Sequence, residues 1–256
     1  MVTTNISAAP LYQPLYEQIK RMLTQSLIDG EWKAGEMIPS EMELAARFKV
    51  SQGTVRKAID ELVSENILMR RQGKGTFVHT HNEEGMQLRF LRLTDENGKK
   101  AFPKNELLSC TRGKANAKIA KALNIKSGAS IIEIKRLLGF EGRPLILDHI
   151  IVPSAEFSGL GAKQIEEYRG SLYRMYEQEY DIRMVRAVED IRAVGADEEA
   201  ADALNLEEGA PLLRIERIAF TYGDRPLEWR LGLCLTDNFH YRNRSEERRV
   251  GKECLR

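Results

Sequence analysis

The feature that most restricts how this chain can fold is an internal repeat. Displacing the sequence by 81 positions sets "ANAKIAKALNIKSGASIIEIKRL", beginning at Ala115, over "ADEEAADALNLEEGAPLLRIERI", beginning at Ala196. The register matches Ala120 with Ala201, Leu123 with Leu204, Asn124 with Asn205, Gly128 with Gly209 and Arg136 with Arg217. One more residue of offset brings "GRPLIL" onto "DRPLEW". Each copy predicts a short helix closed by glycine, a strand ending near an arginine, an Arg-Pro turn and a second strand. Two copies are too few for a solenoid. The expected product is one α+β domain with pseudo-twofold symmetry, in which Arg136 and Arg217 occupy equivalent places.

The N-terminal third follows a different logic. Residues 1–10 are small and polar and are expected to fray. Leu15, Ile19, Met22, Leu23 and Leu27 then recur at helical spacing up to Gly30. Ser40 with Glu43 three residues on forms a capping box for "EMELAARF". Ser51 caps a third helix that runs to about Glu65, with Val55, Ile59, Leu62 and Val63 on one face. Helix, short turn and capped helix form a helix-turn-helix pattern, and "ILMRRQGKGTFVHT" behind it reads as strand, glycine turn and strand, a wing. The polar, acidic "HTHNEEG" marks a linker. The chain is therefore expected to be a mixed α/β protein of two domains. Residues 11–78 form a winged helix-turn-helix, 79–87 a linker, 88–243 the α+β repeat domain, and 244–256 a charged tail without turn logic, disordered or foreign to the native chain.

Charge alone assigns no partner, because 39 Lys and Arg nearly balance 38 Asp and Glu. Any basic surface must be local. Cys110, Cys234 and Cys254 lie far apart with no C-x-x-C pair, which suggests neither a disulfide framework nor a cysteine zinc site. No signal-peptide pattern and no apolar run approaching about 18 residues is present, so a cytoplasmic location without membrane attachment is expected. His79 and His81 share a side if extended, but with no third ligand nearby they predict no metal. Asp148 and His149 are neighbours on a strand and point to opposite faces, so adjacency does not make them a catalytic pair.

The local basic surface sits where the helix-turn-helix would present it. The first turn of a recognition helix meets phosphates and base edges. Ser51 and Thr54 suit phosphate contacts, and Gln52 and Arg56 suit base edges, Arg with guanine and Gln with adenine. Ser40 and Lys57 complete the candidate face on the helices. On the wing, Arg70, Arg71, Gln72 and Lys74 surround Gly73 and Gly75, where a missing Cβ lets backbone approach a phosphate or the minor groove. The bland alternative is a solvated charge run on a common helix-loop-helix.

These residues carry a resemblance. The stretch from "LYQPLYEQIKRML" through "MIPSEMELAARFKVSQGTVRKAIDELVSENILMRRQGKGTFV" resembles the winged-helix domain of the GntR family of bacterial transcription regulators, with P-S-E, T-V-R-K-A and G-x-G-T-F-V in order. The resemblance implies Arg56 and Thr54 as recognition-helix contacts, Ser51 as a phosphate contact and Gly73 at the minor groove. Met42 and Gln52 stand where members often carry arginine, which leaves fewer guanine contacts. Residues from about Leu88 to Asn243 resemble the UTRA effector-binding domain of the HutC-like branch, of chorismate-lyase-like fold, through "EIKRLLGFEGRPLILDHIIVP", "VRAVEDIRAV" and "GDRPLEWRLGLCLTDNFHY". It implies a ligand cleft lined by strand ends of both halves, with Arg136, Asp148, Glu189, Arg217 and Glu228 as polar candidates. An arginine there would bind carboxylate or phosphate bidentately. Equally, Arg136 and Arg217 could pair with Asp148 and Glu228 as satisfied salt bridges.

The resulting expectation is a homodimeric, ligand-controlled regulator, a repressor that reads an inverted-repeat operator in double-stranded DNA and is released by a small anionic metabolite. It needs no cofactor and no metal. A ligand-dependent activator or dual regulator of the same family is the alternative. A lyase-like enzyme with an accessory DNA-binding domain is the rival class, against which the chain shows no nucleophile with a base, no G-x-S-x-G and no phosphate loop.

Overall fold

A computed structural model describes residues 13–81, 93–95, 104–140, 142–168 and 171–243. The expected frayed N-terminus, most of the linker, the first residues of the repeat domain, the tail and Cys254 lie outside the described residues. The chain divides into two compact units. One takes the N-terminal residues up to Asn82 together with Leu172–Ala187 and Ala219–Leu227; the other takes the remainder.

In the first unit, α1 (Leu15–Ile28), α2 (Glu41–Phe48) and α3 (Gln52–Ser64) are followed by the antiparallel hairpin β1 (Leu68–Arg71) and β2 (Gly75–Val78). Local chemistry sets the boundaries. Ser40 and Glu43 close the capping box, α2 stops where Lys49 turns left-handed at φ 54°, and the Ser51 hydroxyl accepts the Thr54 N–H at 3.2 Å. The apolar positions then turn inward, with Ile19, Leu23, Leu44, Val55, Ile59, Leu62 and Leu68 all buried in one core.

Residues beyond the winged helix complete that core. Val185 is buried in it, and Tyr222 packs against it. Arg183 is buried and donates to the Ile67 carbonyl at 3.1 Å, the Asn66 carbonyl at 2.9 Å and the Tyr222 hydroxyl at 3.2 Å, with Glu177 3.8 Å away. Residues 79–81 were expected to open a polar linker but are packed instead. The Thr80 hydroxyl and the His81 backbone N–H both donate to Glu177, the latter at 2.9 Å. The His81 ring is buried and hydrogen-bonded to the Met184 carbonyl at 3.0 Å, so its tautomer is fixed with Nε2 as donor. One buried carboxylate thus organises three otherwise unrelated segments, a contact that no local pattern announces.

The second unit contains the repeat. Its main sheet runs β4 (Lys104–Lys114), β5 (Ser130–Phe140), β6 (Arg143–Pro153), β9 (Arg225–Cys234), β8 (Pro211–Thr221), β7 (Arg186–Gly195), with β7, β8 and β9 extending beyond this unit. The pseudo-twofold is visible in that order, because β5-β6 and β8-β9 meet at the centre. The short helices α4 (Ala117–Ala122) and α7 (Glu198–Leu204) are the repeated ones. Helices α5 (Ala162–Glu167) and α6 (Leu172–Tyr180) lie between the halves in sequence, and β3 (Leu93–Asp95) pairs with β10 (Phe239–Tyr241).

Two details of the repeat differ from expectation. The helices are closed by Asn124 at φ 51° and Asn205 at φ 56°, and the glycines Gly128 and Gly209 serve the following turn. Asparagine tolerates the left-handed region because its amide bonds locally. The Arg-Pro dipeptides open β6 and β9 instead of forming the turns, and Arg136 and Arg217 fall within their strands, not at the ends.

The two tryptophans report on the units separately, since Trp32 lies in the first core and Trp229 packs with Ile119, Ile131 and Ile151 in the second. In a Trp229→Phe background, Arg183→Met should lower the stability read by Trp32 fluorescence in urea by about 3 kcal/mol, because Glu177 and two carbonyls lose a buried donor.

Candidate functional site

The candidate DNA face is built from the start of α3 and the wing. Gln52, Arg56, Lys57, Arg70, Arg71, Gln72, Gly73, Lys74 and Gly75 are exposed, as are Ser40 and Ser51, and Thr54 is half-buried. The two serines are engaged locally: Ser40 with Glu43 in the capping box, and Ser51 with the hydroxyl of Thr54 at 2.9 Å. Lys57 lies 3.8 Å from the Tyr16 ring centroid, and Arg71 stacks 4.7 Å from that of Phe77. Gly73 at φ 70° and Gly75 at φ 109° give the wing tip its turn, and a Cβ on Gly75 would meet the Met37 sulfur at 3.2 Å. Met42, the first departure from the family pattern, is 72% exposed.

Glu41, the first residue of α2 and the last of the P-S-E motif, was assigned no role from the sequence. Its carboxylate accepts from Arg56 Nε at 2.9 Å, from Arg70 Nη2 at 2.9 Å and from Gln52 Nε2 at 3.3 Å. Arg70 also reaches Asp60 at 2.7 Å. Two guanidiniums and two carboxylates thereby cancel in net charge at the head of the recognition helix. Beyond that motif the local signal was an acidic residue in a first helical turn, which ordinarily reads as a favourable interaction with the helix dipole.

The effector candidates gather across the centre of the main sheet. Arg136 and Asp148 are register partners on β5 and β6, and both are buried. Arg136 donates to Asp148 through Nε at 3.1 Å and Nη2 at 2.9 Å. Asp148 is opposite Gly232 on β9, where a Cβ would stand 3.2 Å from its carboxylate oxygen, so the glycine makes room for that oxygen. Arg230, two residues before Gly232 on the same face, reaches Asp148 at 3.4 Å and chelates Glu228 at 3.0 and 3.1 Å. Across β8 and β7, Arg217 donates to Glu189 at 2.7 Å, and Tyr241 donates to the other oxygen of Glu189. Burial pushes the Asp148 carboxyl upward, but the guanidiniums of Arg230, Arg136 and Arg217 outweigh it and hold the group below the usual carboxylate range.

The site therefore collects all five candidates and adds two that were missed, Arg230 and Tyr241. Arg230 could have been found from the repeat, since it is the counterpart of Asp148 at the 82-residue offset with the charge reversed. His149 faces the other way, bonded to Glu133 at 3.2 Å and set edge-on to Trp229.

Comparisons with known proteins bear on the family and the fold. Residues 15–78 match the family model "Bacterial regulatory proteins, gntR family", and residues 98–240 match the UTRA domain. A protein from Escherichia coli (strain K12) described as "Probable fructoselysine utilization operon transcriptional repressor" is 32% identical over 216 residues, covering 84% of this chain and 88% of its own length. The crystal structure of a ligand-binding domain ascribed to a GntR-family transcriptional regulator of Bordetella bronchiseptica superimposes with a TM-score of 0.58 at 40% identity, over 60% of this chain and 96% of that one. The YydK structure from Bacillus subtilis, a possible transcriptional regulator, shares the fold over 89% of this chain and 99% of its own, with a TM-score of 0.56 at 19% identity. No helix among the described residues is long and apolar enough to cross a membrane.

The buried charges make stability depend on acid in a defined direction. Because the folded-state pKa of Asp148 is depressed, its contribution is present above the ordinary carboxylate value near 4 and is lost as pH falls through the depressed one. Asp148→Asn, followed through Trp229 in a Trp32→Phe background, should cost about 3–5 kcal/mol at neutral pH and flatten the acid limb of the stability profile.

Proposed function

The chain belongs to the gntR family of bacterial regulatory proteins and carries its UTRA domain, a DNA-binding transcription regulator and not an enzyme; from that premise we propose a homodimeric repressor that reads an inverted-repeat operator and is released by a small anionic metabolite. The single observation that carries the DNA half is the exposed set at the start of α3 and on the wing, where Arg56, Lys57, Arg70, Arg71 and Lys74 stand in solvent on one small unit of a chain whose net charge is only +1. A twofold protein matches a twofold operator with half-sites about one helical turn apart. In favour of a dimer, the outermost strands of the main sheet, β4 and β7, expose Leu108, Val188 and Ile191, and an exposed apolar edge is a pairing surface.

The anionic effector is argued from the arginines. Arg136 is held by Asp148 through two of its nitrogens and lies deepest. Arg217 and Arg230 bind Glu189 and Glu228, so an incoming carboxylate or phosphate would exchange with one of those side chains as the guanidinium's partner. Such an exchange alters the charge pairing between strands β7, β8 and β9, and effector coupling of about 1–3 kcal/mol is a common size for a regulator. The relative from Escherichia coli makes fructoselysine, which bears a carboxylate, the first compound to try.

The test is a fluorescence-anisotropy titration of the full chain with its own upstream DNA and a scrambled control at two salt concentrations. Selective binding whose logarithm falls linearly with the logarithm of salt is expected; equal, weak binding to both DNAs counts against the reading. Arg56→Ala should cost about 1–3 kcal/mol on the upstream DNA and relax preference at one base pair, whereas Lys74→Ala should weaken all sequences alike. Sedimentation of the bound and free protein should give two chains per operator; one chain per operator removes the dimer.

A further inference from the structure

The contacts of Glu41 bear on what the reading face can recognise, and the inference rests on the DNA-binding reading above. We propose that Glu41 is the positioning residue of the interface: it fixes Arg56 as a two-pronged donor and sets the flip of the Gln52 amide, and so determines which bases the recognition helix accepts.

The argument is one of donor and acceptor inventory. An ionised carboxylate only accepts, so every group it touches must turn an N–H toward it. Arg56 turns its Nε to Glu41 at 2.9 Å, which fixes the plane of the guanidinium and commits the nitrogen that a guanine does not need. Its two terminal nitrogens carry no other contact among the described residues, and the side chain is 56% exposed. Those two nitrogens form the fork that matches guanine O6 and N7. Gln52 is held by the same carboxylate. One N–H of its amide is turned to Glu41 at 3.3 Å, which sets the flip of the amide and leaves the carbonyl oxygen and the second N–H for DNA. That remaining acceptor and donor are the pair that a bidentate contact with adenine N6 and N7 needs. Held this way, Gln52 satisfies both groups only on adenine, which presents a donor beside an acceptor, and one of them on any other base.

The same carboxylate holds Arg70 of the wing at 2.9 Å, so one group fixes side chains from α3 and β1 relative to α2. Glu41 is itself only 19% exposed, which limits the freedom of its own side chain. It also places a negative charge beside DNA phosphates, which opposes binding to any sequence. Its benefit must therefore appear in discrimination and not in raw affinity.

The experiment selects binding sites from a random DNA pool with the full-length parent, Glu41→Gln, Glu41→Asp and Arg56→Ala, and measures each against the parent's selected site and a scrambled duplex, with thermal unfolding alongside. The parent should enrich guanine at one position and adenine at a neighbour. Glu41→Gln should melt like the parent and bind scrambled DNA as well or better, yet lose about tenfold on the selected site and admit other bases at the second position. Glu41→Asp should recover part of the preference. In an Arg56→Ala background the Glu41→Gln change should no longer affect the guanine position. Unchanged base preferences in Glu41→Gln overturn the inference. A uniform loss on all DNA with a lowered melting point overturns it too and leaves Glu41 as a helix-terminus stabiliser. If the parent itself enriches no sequence, the DNA-binding reading falls first, which separates the two failures.

Discussion

The pairing of three buried or nearly buried arginines with three buried or nearly buried carboxylates across the main sheet is the constraint around which the second unit is built. Arg136, Arg217 and Arg230 face Asp148, Glu189 and Glu228 on five different strands, and none of them could be desolvated alone. Because strand side chains alternate, a slip of one residue in β6 would turn Asp148 away and bring His149 under Arg136. The cost of burying charge thereby becomes a penalty on every wrong register. Hydrophobic residues of the same volume could have packed as stably, and charge pairs add what hydrophobes lack, a definite partner for each strand. Leu138, Leu147, Ile146 and Ile215 belong to an apolar core of the same unit and supply hydrophobic burial.

Much of this was legible in the sequence wherever the controlling interaction is local. The three N-terminal helices end within a residue or two of where caps and periodicity put them, because Ser40, Glu43 and Ser51 act on backbone groups three residues away. The repeat gave the central pairs of strands and the equivalence of Arg136 and Arg217. The pairing alternative for Arg136 and Asp148 was also readable, since the two face each other across a tight hairpin. What could not be read depends on residues far apart in the chain. Glu177 meets Thr80 and His81 across nearly a hundred residues, Glu189 meets Arg217 from an outer strand, and Glu41 meets Arg70 from the wing. Helix closure by Asn124 and Asn205 was missed for a smaller reason. Glycine is the commoner left-handed residue, and both residue types are present within five positions.

Both units use a carboxylate to aim guanidiniums, but in different surroundings. Asp148 is enclosed, so its pairing with Arg136 is strong and any change in it is felt along the strands. Glu41 is at the solvent boundary, so its pairing with Arg56 is weakened by water but leaves the two terminal nitrogens of the guanidinium open to another molecule.

The participation of Leu172–Ala187 and Ala219–Leu227 in the same compact unit as the winged helix has a bearing on how such proteins can be recombined. A family match that ends at residue 78 invites a cut just beyond it, as if the head were a cassette. Here a cassette cut there would leave behind Val185 of its core and Arg183, the donor to the Asn66 and Ile67 carbonyls. The unit of inheritance is larger than the unit of sequence similarity. A head exchanged between relatives must bring compatible residues at 177, 183, 185 and 222, so the DNA-reading part and those distant positions are bound to diverge together.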